Sequence, residues 1–168
     1  MAERISVLLI EDNPIHARLI QNLLEESTTS VFDLIPVDRL STGIERLDSG
    51  NIDVVLLDLV LPDSQEMDTL EQVRAAAPEI PIVILTSLDD VTLAAKAVEE
   101  GAQDFLIKTE TNSRSLTRSI HYAIERTRAQ KGEWDASMFR LAQQQFLKAA
   151  QLMDLDVNVQ ERLLFPQR

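Results

Sequence analysis

Five short apolar runs punctuate the first 108 residues of this chain, and segments of helical period separate them. They read SVLLIED, a weaker Phe32–Val37, VVLLDL, PIVILTS and DFLIK. Most of these runs show no apolar–polar alternation, so neither face of the strand meets water. Parallel strands covered by helices on both sides have this character. The intervening segments carry the helical pattern. Ile15, Leu19, Leu23 and Leu24 follow Pro14, which suits a first helical position. Ser41–Ser49 stops at Gly50-Asn51, about 65–77 is bounded by Pro78 and Pro81, and Val91–Glu100 closes at Gly101. Leu116, Ile120, Ala123 and Ile124 mark one face of a fifth helix, Ser113–Arg128. Five strand–helix units with short connections predict an α/β fold with a doubly wound, five-stranded parallel sheet. They occupy residues 1–128, and 129–168 form a helical extension.

The ends of these runs hold the chemistry. In an open parallel sheet the carboxyl ends of the strands share one edge, and ligands bind there. Glu11-Asp12, Asp58, Thr86 and Lys108 end strands one, three, four and five. Two adjacent acids after a buried strand repel each other and lose hydration. A hard dication such as Mg²⁺ relieves both, with carboxylates, waters and phosphate oxygens as ligands. Asp58 can join that metal site or attack phosphorus as a nucleophile. Lys108 is placed to bridge the acids and hold a phosphoryl oxygen, and Thr86 to donate to another. Taken singly, each has an ordinary reading: a solvated acid pair, a turn-forming Asp, a strand-favouring Thr, a solvated Lys. Their order along the sheet is what separates them from chance.

These residues resemble the receiver domain of two-component response regulators over about residues 4–128. The resemblance rests on VLLIEDN, DLVLPDS, VILTS and GAQDFLIK. It implies a flavodoxin-like sheet of order 2-1-3-4-5 and a phosphorylation-dependent switch with Asp58 as phosphoacceptor. Glu11, Asp12, Asp58 and the Val60 backbone carbonyl would hold Mg²⁺. Thr86 and Lys108 would contact the phosphoryl group, with the small Ser87 leaving it access. Phe105 falls at the family's aromatic switch position; its other reading is a plain core aromatic. A histidine kinase or phosphotransfer protein would be the donor, and the fourth helix, fifth strand and fifth helix the face that changes. The chain would be no enzyme beyond its own phosphorylation and autodephosphorylation.

Two positions depart from the family pattern. Thr109 stands where a proline in a cis peptide is usual, and a cis bond before Thr costs about 2.5–4 kcal/mol, so a trans bond is expected. Glu66 stands where glycine is usual, so a positive φ there would be strained.

Other functions fit less well. A flavin-binding module needs a Ser/Thr/Gly-rich phosphate loop after strand one, and Glu-Asp-Asn would repel the phosphate. A haloacid-dehalogenase-type phosphatase usually carries a second Asp two residues after its nucleophile, where this chain has Val60. The net charge of −12 disfavours non-specific nucleic-acid binding. No cysteine is present, which excludes disulfides and thiolate metal sites and suits a cytoplasmic location. The N-terminus reads as neither signal peptide nor membrane span.

Residues 1–125 carry 9 basic and 23 acidic side chains, and 126–168 carry 7 and 5, so the composition changes near residue 126. Trp134, Met138, Phe139, Ala142, Phe146, Ala149, Ala150 and Met153 recur at helical spacing, and a further piece spans Val157–Phe165. A single helix from Ser113 through Met153 is compatible with Gly132, which costs about 1 kcal/mol. The reading is a homodimer through the fifth helix, the switch face or this extension. The string FLKAAQLMDLDVNVQERLLFPQR also resembles the N-terminal segment of the Glu/Leu/Phe/Val dehydrogenases, which would make the chain part of a receiver–dehydrogenase fusion. A docking module without phosphorylation control is the remaining alternative.

Overall fold

The computed structural model describes residues 3–152, with side chains through residue 132. Strands β1 (Glu3–Ile10), β2 (Ser30–Val37), β3 (Val54–Asp58), β6 (Ile82–Thr86) and β7 (Asp104–Ile107) form one parallel sheet in the order β2-β1-β3-β6-β7. That is the flavodoxin-like 2-1-3-4-5 order, because β4 (Val60–Leu61) and β5 (Ser64–Gln65) only form a small antiparallel hairpin after β3.

Successive strand side chains point to opposite faces, and both faces here are apolar. Leu8, Ile10, Val55, Leu57, Ile82 and Ile84 pack with Leu40 and Leu47 of α2 (Leu40–Asp48), Leu70 and Val73 of α3 (Met67–Ala76), and Ala94 and Ala97 of α4 (Val91–Glu99). On the other face Val7, Leu9, Val54, Leu56, Val83 and Leu85 meet Ile20 and Leu24 of α1 (Pro14–Glu25) and Leu116, Ile120 and Ala123 of α5 (Ser113–Leu152). Each fully buried aliphatic side chain contributes about 1.5–3 kcal/mol. Gly43 lets α2 approach β1 closely: a Cβ there would lie 2.5 Å from Ile10 Cδ1.

The strands and helices fall where the periodicity predicts, with small differences at their ends. β2 begins at Ser30, whose hydroxyl is 2.9 Å from His121 Nε2. α3 begins at Met67 because Ser64 and Gln65 pair with Leu61 and Val60. Lys108 lies just beyond β7. No peptide bond among the described residues is cis, so Lys108–Thr109 is trans.

Glu66 adopts φ 58° and ψ −136°, a conformation that favours glycine. Its N–H donates to Leu59 O at 2.8 Å, which pins the strained residue between the hairpin and α3. Glu66→Gly is therefore expected to stabilise the domain by about 1 kcal/mol, the relieved strain less the extra freedom of the unfolded chain. A higher urea midpoint at unchanged slope would show it; a lower midpoint would refute it.

Residues 1–127 form one compact unit and 128–168 a second. In the second, the backbone is helical as far as Leu152 and passes through Gly132. The side-chain pattern from Trp134 to Met153, the Val157–Phe165 piece and most of the dehydrogenase-like string lie outside the described residues.

Candidate functional site

The sheet register brings the predicted residues to one edge. Ile10 pairs with Leu57, Asp58 with Leu85, and Thr86 with Ile107. The residues that follow or end these strands are therefore neighbours. The Lys108 N–H also donates to Thr86 O at 2.8 Å, which extends the β7 edge by one residue.

Of the adjacent acids, Glu11 turns inward and is only 3% exposed, whereas Asp12 is exposed. The Glu11 N–H is fixed to Val37 O at 3.0 Å, and its Oε1 accepts from the Asn13 N–H at 3.1 Å. Asn13 caps α1 in turn, accepting from the Ile15 N–H at 2.9 Å and the His16 N–H at 3.4 Å. Pro14 at the first turn supplies a φ already suited to the helix.

Asp58 is 14% exposed and accepts from the Val60 N–H through Oδ1 at 2.9 Å. Its Oδ2 lies 2.7 Å from Lys108 Nζ, and the same ammonium is 2.6 Å from Glu11 Oε2. One carboxylate oxygen from each of Glu11, Asp12 and Asp58 lies within 4.8 Å of the other two.

Burial dominates the titration of this cluster. It pushes the Glu11 carboxyl up to about 7; the Lys108 hydrogen bond opposes that rise, and the Asp58 charge adds to it. For Lys108, burial alone favours the neutral amine. Hydrogen bonds to Asp58 and Glu11 together outweigh it, and the ammonium titrates above the ordinary lysine value. A raised acid binds its proton more readily in the folded state than in the unfolded chain. The stability Glu11 contributes is thus fully present below pH 4.5 and is lost as pH rises through about 7. The contribution of Lys108 persists below pH 10.5 and is lost as pH rises through its higher folded value. In urea titrations without metal, unfolding free energy should fall from pH 5 to pH 8, and Glu11→Gln should flatten that slope. An unchanged slope in the variant would remove Glu11 as its source.

A hard dication fits this donor set. All three candidate ligands are carboxylates, which suit Mg²⁺ or Mn²⁺ rather than softer metals. Among the described residues the buried Glu11 Oε2 has no partner but the Lys108 ammonium at 2.6 Å, so it retains a lone pair for an ion.

The remaining predicted residues are close in the fold but not bonded to the acids. The buried Thr86 hydroxyl donates to Ser87 O at 3.2 Å, and the exposed Ser87 hydroxyl to Asp90 Oδ2 at 3.1 Å. Phe105 is half-buried on β7, packed against the core face that α2, α3 and α4 cover.

Two residues escaped the sequence reading. Asp63, in the hairpin turn after Asp58, accepts from the Leu40 N–H at 2.9 Å and the Ser41 N–H at 3.0 Å. It caps α2, whose own N-cap residue Arg39 makes no side-chain cap bond. The Ser41 N–H in particular holds its carboxyl below the ordinary value. His16 places Nδ1 3.3 Å from Lys108 Nζ. Its position one turn into a helix that starts just after the acid pair was the only available signal.

A parallel sheet of this order, with three acids and a lysine at its carboxyl edge, defines a signalling receiver. The chain belongs to the response regulator receiver domain family, whose model matches residues 7–121. It is 35% identical over 106 residues to the regulatory protein LuxO of Vibrio vulnificus (strain YJ016), covering 61% of this chain and 23% of LuxO. It is 32% identical over 125 residues to the cell cycle transcriptional regulator CtrA of Caulobacter vibrioides (strain NA1000 / CB15N), covering 73% of this chain and 51% of CtrA. The matched region is thus about a quarter to a half of these relatives. A receiver domain structure from Clostridium thermocellum superposes with a TM-score of 0.65 at 27% identity, covering 74% of this chain and 98% of that one. Among the described residues no helix is long and apolar enough to cross a membrane.

Proposed function

We infer that this receiver is a phosphorylation-controlled switch and that Asp58 is its phosphoacceptor. The observation that carries the reading is the Lys108 ammonium held 2.7 Å from Asp58 and 2.6 Å from Glu11. A cation already seated on the nucleophilic carboxylate can pass to a phosphoryl oxygen as negative charge develops there.

In the proposed reaction an Asp58 carboxylate oxygen forms a bond to phosphorus. The bond from phosphorus to the donor atom breaks, and its electron pair leaves with the donor. A histidine kinase or phosphotransfer protein supplies that group as a phosphoimidazole, whose nitrogen recovers its lone pair. Mg²⁺, held by Glu11, Asp12 and Asp58 with the Val60 carbonyl, would offset repulsion between two anionic reactants. Thr86 and Ser87 line the phosphoryl oxygens. Movement of Thr86 toward the phosphoryl group, with Phe105 following, favours an active arrangement of the α4–β7–α5 face. The chain then acts as a regulated binding surface in the cytoplasm, a homodimer through α5 or that face, with no other catalysis and no nucleic-acid or membrane partner of its own.

Incubation with acetyl phosphate and Mg²⁺ should add the mass of one phosphoryl group to the intact protein, and EDTA should prevent it. No gain with Mg²⁺, or an equal gain with EDTA, would reject the reading.

A further inference from the structure

We propose that His16 is a positioning residue for Lys108: its Nδ1 accepts an ammonium hydrogen and holds the ammonium beside Asp58. The inference deepens the phosphoacceptor reading and rests on it for the role, though not for the bond itself.

A lysine ammonium has three donors and no acceptor. Within the cluster its partners are Asp58 Oδ2 at 2.7 Å, Glu11 Oε2 at 2.6 Å and His16 Nδ1 at 3.3 Å. Lys108 is only 8% exposed at its side chain, so water is a poor substitute for any of them. The distances also select the tautomer. His16 Nδ1 is 3.8 Å from Glu11 Oε1, beyond hydrogen-bond range, and 3.3 Å from Nζ, near its limit. A proton on Nδ1 would face the ammonium and leave a lysine donor without an acceptor. A bare Nδ1, with the proton on Nε2, gives that donor its acceptor.

The three partners differ in what the reaction does to them. Asp58 spends an oxygen on the new bond to phosphorus, and Glu11 would be shared with a bound dication. His16 takes part in neither change. It therefore remains as the contact that keeps Lys108 oriented while the ammonium transfers from carboxylate to phosphoryl oxygen. The Asn13 cap that starts α1 fixes the His16 backbone, and the 37% exposed side chain reaches Lys108 from there. Through it the first turn of α1 reaches a residue 92 positions away, at the end of the opposite edge strand.

The test begins with the unmodified, metal-free protein. Nitrogen-15 NMR, at a pH well above the ordinary histidine range, should show His16 as the Nε2–H tautomer with Nδ1 unprotonated. The Lys108 ammonium hydrogens should be visible through protection from exchange. An Nδ1–H tautomer or an imidazolium would overturn the proposal. Phosphorylation by acetyl phosphate at saturating Mg²⁺ supplies the second arm. His16→Leu should slow the maximal rate about tenfold, the size of one lost hydrogen bond to a charged group, without changing the donor concentration that half-saturates it. His16→Asn, whose carboxamide oxygen accepts, should restore most of the rate. Equal rates in all three proteins, or equal losses in both variants, would refute the positioning role. Failure of the unmodified protein to gain a phosphoryl group would count against Asp58 as acceptor, whereas the tautomer decides the His16–Lys108 bond either way.

Discussion

Replacing Lys108 by methionine should destabilise the metal-free domain by about 3–5 kcal/mol, the usual consequence of leaving a buried charge without its partner. Methionine keeps most of the aliphatic stem, so the loss isolates the ammonium. Among the described residues Lys108 is the only lysine or arginine within 4.0 Å of Glu11 or Asp58. Without it a carboxylate that is 3% exposed faces a second carboxylate across the same edge. The protein can relieve part of this by protonating Glu11, whose carboxyl is already pushed up to about 7. The deficit should therefore be larger at pH 8 than at pH 6. Mg²⁺ should reduce it by supplying the missing positive charge. Urea denaturation at both pH values, with Mg²⁺ or EDTA, measures all of this. A loss independent of pH and metal would show that Lys108 matters through packing alone.

Asp58→Asn should abolish the phosphoryl gain from acetyl phosphate altogether, while costing about 1 kcal/mol or less of stability. The asymmetry with Lys108 follows from the contacts. The new carboxamide oxygen can still accept from Val60 N–H or from Lys108 Nζ, and Lys108 keeps Glu11 as a charged partner. It also removes a charge that raises the Glu11 carboxyl. What it cannot do is attack phosphorus, because a carboxamide oxygen is a far weaker nucleophile than a carboxylate. Intact mass spectrometry after incubation decides the point. A variant that still gains one phosphoryl group would move the acceptor elsewhere, with Asp12 as the next residue to replace.

The apolar runs carried the fold because buried parallel strands leave an unmistakable mark. Val54–Leu57 has no polar residue on either face, and such a run needs helices on both sides. Glu66 shows the value of a mismatch: the sequence marked a positive φ there as strained, and the residue nonetheless stands at φ 58°. Element ends were less legible. The start of α3 depends on the β4–β5 hairpin, whose four residues have no apolar periodicity to announce it.

By itself the sequence determined the strand–helix alternation and the position of each acid, hydroxyl and amine at a strand end. Those follow from hydrophobic periodicity along a few neighbouring residues. Only the tertiary structure decided which member of the Glu11-Asp12 pair is buried, that Asp63 caps α2 from a different loop, and that His16 reaches Lys108. These contacts depend on sheet register and on how helices seat against the two faces. They join residues up to 92 positions apart, and no local pattern in either partner encodes the other.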